Sequence, residues 1–293
     1  MLGRLLLRPG CPCPDLDLVV NLGDFPARGR PVLSTWVRAG DLNPRLPSSA
    51  HWDSGAADHD GGTGVRCLRL FDPEVLARPF VERASRVVWR GTATGMWDRD
   101  VRAARLRDWI GASWGSRISR VELVRIAERH PDVLDAALTG FSQLSPKNAS
   151  FLSSHLRTEA WVDQSWFLRH RYVVNVDGNV GTWSFLTLLG AGSVLLRQES
   201  PYREFCAPQL EAERPWVPVA RDLSDLVERA RDCLARTEEM SALAAEARAF
   251  VFRWLSGSAV DFYMASLIAE YARAFRGPVI RDPTATPVGT SPS

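Results

Sequence analysis

The residues numbered 171 to 193, RYVVNVDGNVGTWSFLTLLGAGS, change the spacing of their apolar side chains halfway along. The mostly apolar residues Tyr172–Val176 predict a buried strand, and the spacing over Thr182–Leu189 predicts a helix. Between them lies a short turn that contains glycine and asparagine. A strand, a tight turn and a helix begin a parallel βαβ unit, so this stretch predicts a sheet whose faces are covered by helices.

The same alternation continues towards the C-terminus. Strands are predicted at Ser193–Arg197 and Pro215–Val219, and amphipathic helices at Asp222–Ala235, Glu238–Trp254 and Ala259–Phe275. Strands that alternate with helices favour an α/β fold with a parallel sheet, here followed by C-terminal helices. Residues 277–293 have no apolar periodicity, which predicts a disordered tail.

The first half of the chain has weaker patterns. Strands are predicted at Asp15–Leu22, Pro31–Val37 and Arg86–Trp89, and helices at Pro73–Ser85, Asp98–Trp109, Arg120–Arg129 and Ser150–Ser165. Residues 40–66 are rich in Gly, Pro, Asp and Ser, which predicts a long loop.

Charge and composition exclude several classes of protein. The 293 residues include 36 basic and 34 acidic side chains, a balance that disfavours a nucleic-acid partner. No apolar run approaches the roughly 20 residues of a transmembrane helix, so no membrane segment is predicted. The cysteines match no zinc or redox spacing and leave the compartment open; they are Cys11, Cys13, Cys67, Cys206 and Cys233.

The turn after Val176 has two interpretations. It can place free backbone N–H groups at the start of a helix, where Thr182 can cap the helix or donate its hydroxyl to an oxyanion. In open α/β sheets such a turn lies beyond the carboxyl ends of the strands, where ligands bind. It matches neither G-x-G-x-x-G nor a P-loop, so on spacing alone a plain tight turn is favoured.

A second candidate site follows the strand that ends at Trp89. Arg90 and Thr92 offer a charged and a neutral hydrogen-bond donor, and Gly91 lets the backbone approach a ligand closely. Arg120, at the head of a later helix, can reach the same anion. It is about equally consistent that Arg90 caps a carbonyl or pairs with a carboxylate.

Two acidic stretches lie near the N-terminus. Asp24 follows a predicted strand and precedes Phe25 and Pro26, where a carboxylate can act as a general base if its surroundings tune it. An aspartate in that position more often caps a turn. The segment HWDSGAADHD at residues 51–60 contains histidine and aspartate but has the composition of a solvated loop, so no metal site is predicted.

Taken in order, these stretches resemble one family. The set comprises DLVVNLGDFP at 17–26, VVWRGTATG at 87–95, RYVVNVDGN at 171–179, SPYREF at 200–205 and PWVPVARDLSDL at 215–226. The order is similar to that of glycosyltransferase family ninety, the capsule-associated-protein and Rumi type. The resemblance extends over residues 15–275, and it is the ordered set, rather than a single motif, that is specific.

The resemblance implies a fold and an activity. The fold is GT-B-like, with two Rossmann-like halves, and a UDP-sugar is bound mainly by the C-terminal half. The activity is an inverting transfer of a sugar, most commonly glucose or xylose, to a hydroxyl of a protein or glycan, without a metal or other cofactor. The corresponding boundaries are 1–85 for the remainder of an N-terminal acceptor-side half, 86–276 for the donor-binding half, and 277–293 for the tail.

The resemblance also implies roles for particular residues. It places Asp24 in the family's Asp-aromatic-Pro motif, as the catalytic base. It places Thr92, after the Arg90–Gly91 pair, and Arg120 at donor-binding positions. The family's donor loop falls on Asn179, Val180, Gly181, Thr182, Trp183 and Ser184. The order of the motifs therefore reverses the interpretation of the turn, from a plain turn to a diphosphate-binding loop.

Two departures from the family bear on activity. Many members have an arginine near the position of Ser184, whereas this chain has no basic residue between Arg171 and Arg197, so a phosphate contact would be missing or supplied by Arg90 or Arg197. The segment ahead of Asp24 is short for the family, which predicts a truncated N-terminal half. The alternative to an active enzyme is an inactive protein of the same fold that binds a nucleotide sugar or a partner. For a eukaryotic source, the resemblance implies the lumen of the endoplasmic reticulum or Golgi.

Overall fold

Five parallel strands form the central sheet in the computed structural model, which describes residues 20–21, 33–34, 37–38, 44–47, 68, 71–95, 118–142 and 144–274. The strands are β4 (Ala84–Thr92), β5 (Leu134–Gly140), β6 (His170–Asn175), β7 (Val194–Gln198) and β9 (Val217–Val219), in the spatial order β5-β4-β6-β7-β9. Two short pairs accompany it, a parallel one between β1 (Val20–Asn21) and β2 (Leu33–Ser34), and an antiparallel one between β3 (Val37–Arg38) and β8 (Tyr202–Arg203).

Helices cover both faces of the sheet. They are α1 (Pro73–Ala77), a 3₁₀ turn at Phe80–Glu82, α2 (Ser119–Arg129), α3 (Pro146–His155), α4 (Gln164–Phe167), α5 (Phe185–Leu189), α6 (Ala207–Glu213), α7 (Leu226–Ala235), α8 (Thr237–Trp254) and α9 (Gly257–Ala274). Within the described ranges, no helix is both long and apolar enough to span a bilayer.

The buried strands divide their side chains between two hydrophobic cores. In β6, Tyr172 and Val174 point into a core shared with α2 and α7, and Val173 points into a core shared with α5, α8 and α9. Because successive side chains of a strand face opposite sides, a strand in a sheet covered on both faces needs apolar residues at successive positions, as at Tyr172, Val173 and Val174. The predicted α/β fold with a parallel sheet and C-terminal helices is confirmed.

The strand order creates a crevice at the carboxyl ends of the two central strands β4 and β6. The chain passes from β4 through α2 to β5 on one side of β4, and later enters β6 on the other side. Connections that leave two neighbouring parallel strands in opposite directions open a crevice at their carboxyl ends. Here that crevice lies between the residues after β4 and the turn after β6.

Two predicted helices differ in extent from the structure, and one strand was not predicted. The helix expected at Pro73–Ser85 is broken, because Arg78 precedes Pro79 and is held in an extended conformation. The helix expected at Ser150–Ser165 ends at His155, and the chain then runs extended beside β5, where Leu138 N donates to Arg157 O and Glu159 N donates to Leu138 O. Strand β5 itself, LDAALTG, was not predicted, because alanine is depleted in strands and the run is short.

Several other predictions concern residues outside the described ranges. The helix at Asp98–Trp109, most of the loop at 40–66 and the tail at 277–293 are among them. The domain boundary at residues 85/86 and the two-half arrangement of a GT-B-like fold stay predictions. Of the cysteines, Cys206 and Cys233 are buried and free.

An ion pair in the sheet joins β4 to β5. The buried Arg90 guanidinium donates to Asp135 Oδ1 at 3.0 Å and to Asp135 O at 2.9 Å, and its Cζ lies 4.8 Å from the centre of the Trp166 ring. Arg157 Nη1 donates to the same carboxylate oxygen at 2.7 Å. These arginines lower the pKa of Asp135, although burial opposes the shift.

We expect Asp135→Asn to lower the free energy of unfolding by about 3 kcal/mol, because it leaves the buried charge of Arg90 without its carboxylate. Chemical denaturation measures the change. The matched control is Asp132→Asn, three residues earlier, whose ion pair with Arg231 is exposed on both sides. A change in the control below about 0.5 kcal/mol is expected; equal losses in the two variants would contradict the argument.

Candidate functional site

Arg120 ties together the two sides of the crevice. Its Nη1 donates to Thr92 O at 3.1 Å and to Thr94 Oγ1 at 2.7 Å, both just after or at the end of β4. Its Nε donates to Asp177 O at 3.2 Å, at the start of the turn after β6. Burial lowers the pKa of Arg120 to about 10, and the charge of Asp177 opposes that shift. The guanidinium remains cationic at neutral pH.

Two glycines let the backbone of the turn approach this arginine. A Cβ on Gly178 would lie 3.0 Å from both Arg120 Nη2 and Thr94 Oγ1. Gly95 has a φ of +110°, a conformation that favours glycine, and its N–H donates to Asn179 Oδ1 at 3.0 Å. The segment after β4 and the turn after β6 are therefore joined directly as well as through Arg120.

The turn differs from its predicted form at Thr182. The helix was predicted to start there, but α5 begins at Phe185 and Ser184 precedes it without a capping side-chain bond. The Thr182 hydroxyl instead donates to Val176 O at 2.8 Å, which closes the turn onto the end of β6. Val180 and Gly181 are buried, whereas the Trp183 side chain is half exposed.

Two of the predicted donor-binding residues have structural partners elsewhere. Arg90 pairs with Asp135, which is the alternative that the sequence left open. A Cβ on Gly91 would lie 2.7 Å from Trp89 Cζ2, so that glycine makes room for a neighbouring ring. The predicted base, Asp24, lies outside the described residues. The structure thus brings together Thr92, Arg120 and the turn residues Asn179 to Ser184.

A cavity of about 300 Å³ opens next to the turn, between the carboxyl end of β7 and the side chains of Trp216 and Pro218. Its lining includes the rings of Phe185, Tyr202 and Trp216 and the charged groups of Arg197 and Glu204. The cavity and the turn are connected, because Tyr202 donates its hydroxyl to Asn179 O at 3.2 Å. The Asp177 N–H likewise donates to Gln198 Oε1 at 3.1 Å, which fixes the turn to the end of β7.

Arg197 is the additional cation beside the turn. It is buried, its Nη1 donates to Asn175 Oδ1 at 3.2 Å, and its Cζ lies 3.3 Å from the centre of the Phe185 ring. Burial lowers its pKa, whereas the nearby charges of Asp177 and Glu204 oppose the shift. Of the two arginines that the sequence offered in place of a basic residue at Ser184, Arg197 is the one that lies at the turn.

Glu204 was not predicted as a site residue. It lies directly after β8, in the SPYREF stretch that the chain shares with the family. Its place in that motif was the one feature of the sequence that could have indicated a site residue. The side chain is buried, and burial raises its pKa to about 7, although Arg197 opposes the shift. In the part of the chain that the structure describes, no group of three or more His, Cys, Asp or Glu side chains is placed to hold a metal ion.

The raised pKa of Glu204 predicts a pH-dependent stability. The native state holds this proton more tightly than the unfolded chain, whose carboxyl has the ordinary value of 4.5. The free energy of unfolding therefore decreases as the pH rises from about 4.5 to about 7, by on the order of 2 kcal/mol from this group. Denaturation curves should show that decrease in the wild type and a smaller one in Glu204→Gln.

The control is Glu211→Gln, which removes a largely exposed carboxylate from α6. We expect its stability to follow the pH dependence of the wild type. Asp177, whose pKa is also raised by burial, contributes with the same sign in all three proteins. Identical pH dependence in the wild type and Glu204→Gln would show that Glu204 is not the group responsible.

Comparison with known proteins adds three findings. The family model described as glycosyl transferase family 90 matches residues 78–291. Protein O-glucosyltransferase 3 of Homo sapiens is 28% identical over 278 residues, which are 92% of this chain and 49% of the relative. Protein O-glucosyltransferase 1 of Rattus norvegicus is 23% identical over 269 residues, 89% of this chain and 63% of the relative. The chain thus spans about half the length of the first relative.

Among solved structures, this chain is similar to the sucrose-phosphate synthase from Thermosynechococcus elongatus. The match covers 71% of this chain and 51% of the synthase chain. The sequence identity is 14% and the TM-score is 0.41. That likeness is too slight to bear on fold or function.

Proposed function

The chain belongs to glycosyltransferase family 90, and from this membership we propose that it transfers the sugar of a UDP-sugar to a hydroxyl group of an acceptor. The observation that carries the proposal is the hydrogen bonding of Arg120 to the end of β4 and to the turn after β6. These hydrogen bonds hold the cationic guanidinium, the closely packed turn after β6 and Thr92 together at the crevice of a parallel sheet. Folds of this kind bind nucleotides in such a crevice.

In this proposal the diphosphate of the donor lies against Arg120 and the turn residues Asn179 to Ser184. Arg120 Nη2 takes no part in the three hydrogen bonds that fix the guanidinium, so it can serve the ligand. A preorganised guanidinium in a partly buried site stabilises the negative charge that develops on the departing diphosphate. That positive charge can do the work that a metal ion does elsewhere, so we propose transfer without a metal.

Asp24 is proposed as the general base. It would accept the proton of the acceptor hydroxyl as the oxygen attacks the anomeric carbon on the side opposite the diphosphate, which inverts the configuration. The names of the relatives, protein O-glucosyltransferases, support glucose as the sugar and a protein hydroxyl as the acceptor. Xylose is the second sugar to test.

The test is a transfer assay with UDP-glucose or UDP-xylose and a serine-containing protein acceptor, in which released UDP and labelled acceptor are measured with and without EDTA. We expect transfer that survives EDTA. The proposal would be contradicted if the protein showed no turnover and calorimetry also showed no binding of UDP. UDP binding without transfer would favour the second candidate, a nucleotide-sugar-binding protein without activity, for which Ser184 in place of a basic residue is the motivating observation.

Arg120→Met should weaken UDP binding about ten- to hundredfold, because it removes a charge-assisted contact to the diphosphate. Arg120→Lys should recover part of that loss, since it keeps the charge but not the fork that joins the two segments. Calorimetry gives the dissociation constants, and thermal melting checks each fold. The control is Arg129→Met, on the same helix, whose side chain is more than half exposed. Wild-type affinity in Arg120→Met would contradict the assignment.

Asp24→Asn should reduce the turnover number by about 10²- to 10⁴-fold and leave the affinity for UDP unchanged, because a general base acts on the acceptor and not on the nucleotide. Transfer rate and UDP calorimetry are measured on the same preparation. Asp17→Asn, seven positions earlier, is the control and should retain activity. Full activity in Asp24→Asn would remove Asp24 from the mechanism.

A further inference from the structure

The side chain of Gln198, the last residue of β7, joins three segments at the carboxyl ends of the strands. Its Nε2 donates to Ser119 Oγ at 2.9 Å, on the first residue of α2, and to Arg221 O at 2.6 Å, shortly after β9. Its Oε1 accepts a hydrogen bond from the Asp177 N–H at 3.1 Å, in the turn after β6. The Gln198 side chain is buried, so water competes little for these bonds.

The contacts of Gln198 require two donors and an acceptor at one end of a side chain, which an amide supplies. The opposite orientation of the amide would set its NH₂ group against the Asp177 N–H and its oxygen against Arg221 O. A glutamate would keep the bond from Asp177 and lose both donations, and a methionine would lose all three bonds. The position therefore depends on the hydrogen bonds of glutamine and not only on its size.

These contacts complete a closed ring of bonds around Arg120. The tip of the Arg120 side chain is held at the turn, because its Nε donates to Asp177 O. The base of the same side chain is also held there, because the neighbouring Ser119 is joined through Gln198 to the Asp177 N–H. The arginine is thus fixed at both ends relative to one residue of the turn.

The start of α2 depends on this link. Ile118 precedes the helix and gives it no side-chain cap, so the bond between Ser119 and Gln198 anchors the first helical residue to the sheet. A long arginine side chain has many rotamers, and ordering it costs free energy. Without the anchor, part of that ordering would have to occur when a ligand binds, which lowers affinity.

We propose that Gln198 is a positioning residue of the donor site, which acts through Arg120 and not by contact with the donor. The inference rests on the proposed function, in which Arg120 binds the diphosphate of a UDP-sugar. Both N–H groups of the Gln198 amide are used within the protein, so it has no donor left for a ligand. Its role is to hold the guanidinium and the turn at a fixed separation before the donor arrives.

A double-mutant cycle separates positioning from general stabilisation. UDP is titrated by calorimetry into the wild type, Gln198→Met, Arg120→Met and the double variant, and thermal melting checks each fold. If Gln198 acts through Arg120, Gln198→Met weakens UDP binding about tenfold in the wild-type background. The same substitution weakens it less than about twofold once Arg120 is replaced, because coupled residues are not additive.

The matched control is Ser193→Ala, which removes buried hydrogen bonds just before the opposite end of β7. The Ser193 hydroxyl donates to His170 O at 2.8 Å and accepts a hydrogen bond from Arg83 Nη1 at 2.8 Å. We expect this variant to have a lower melting temperature and the wild-type affinity for UDP. It thereby measures how far a loss of buried hydrogen bonds alone affects binding.

Three results with UDP bound to the wild type would overturn the inference and leave the proposed function intact. They are wild-type affinity in Gln198→Met, the same fold loss with and without Arg120, and an equal loss of affinity in Ser193→Ala. Failure of UDP to bind the wild type would overturn the proposed function and this inference with it.

Ser119→Ala covers the case in which Gln198→Met does not fold, since it removes only the bond between Gln198 and α2. We expect UDP binding to weaken about threefold in the wild-type background and to stay unchanged in the Arg120→Met background. No loss, or the same loss in both backgrounds, would overturn the proposal.

Discussion

The placement of one guanidinium underlies the geometry of the site. Arg120 lies in the first turn of α2 and reaches across the carboxyl ends of the strands. Its guanidinium donates to Thr92 O, at the end of β4, and to Asp177 O, shortly after β6. Those two segments, the residues after β4 and the turn after β6, leave the sheet in different directions, and each would otherwise present unsatisfied backbone groups at the crevice. The arginine satisfies part of both and fixes their separation. Gly178 matters for the same reason, since a side chain there would push against that guanidinium.

The crevice and the cavity lie on opposite sides of the turn after β6. Asn179 contributes to both sides, with its amide oxygen bound to Gly95 and its backbone oxygen bound to Tyr202. On the crevice side the cation is held by neutral oxygens, so its charge remains available to an anion. On the cavity side a cation and a carboxylate lie near each other, so the field is more nearly balanced.

The sequence predicted the strands and helices that have a clear local pattern of apolar residues. It missed the features that depend on contacts between residues far apart in the chain. The apolar residues of Tyr172–Val176 and the alternation of strands and helices after them were sufficient to predict a parallel sheet. The prediction of a site after that strand rested on the order of the family's motifs, because spacing alone favoured a plain turn. Strand β5 could not be predicted, because its alanines form a strand only once they are buried beside β4. Arg90 and Arg197 looked equivalent in the sequence; only the register of the sheet shows that one faces Asp135 and the other faces the turn. The early helix start was wrong because the Thr182 hydroxyl bonds back to Val176.

The extended residues Arg157–Glu159 beside β5 have a consequence for how copies of the chain meet. A parallel sheet that ends in an open strand offers a row of free N–H and C=O groups to any other extended peptide. Here Leu138 has already exchanged hydrogen bonds with Arg157 and Glu159, so the chain itself pairs with the middle of β5. The charged side chains at those two positions also repel an incoming apolar strand. An incoming extended peptide would have to displace that pairing to reach Leu138.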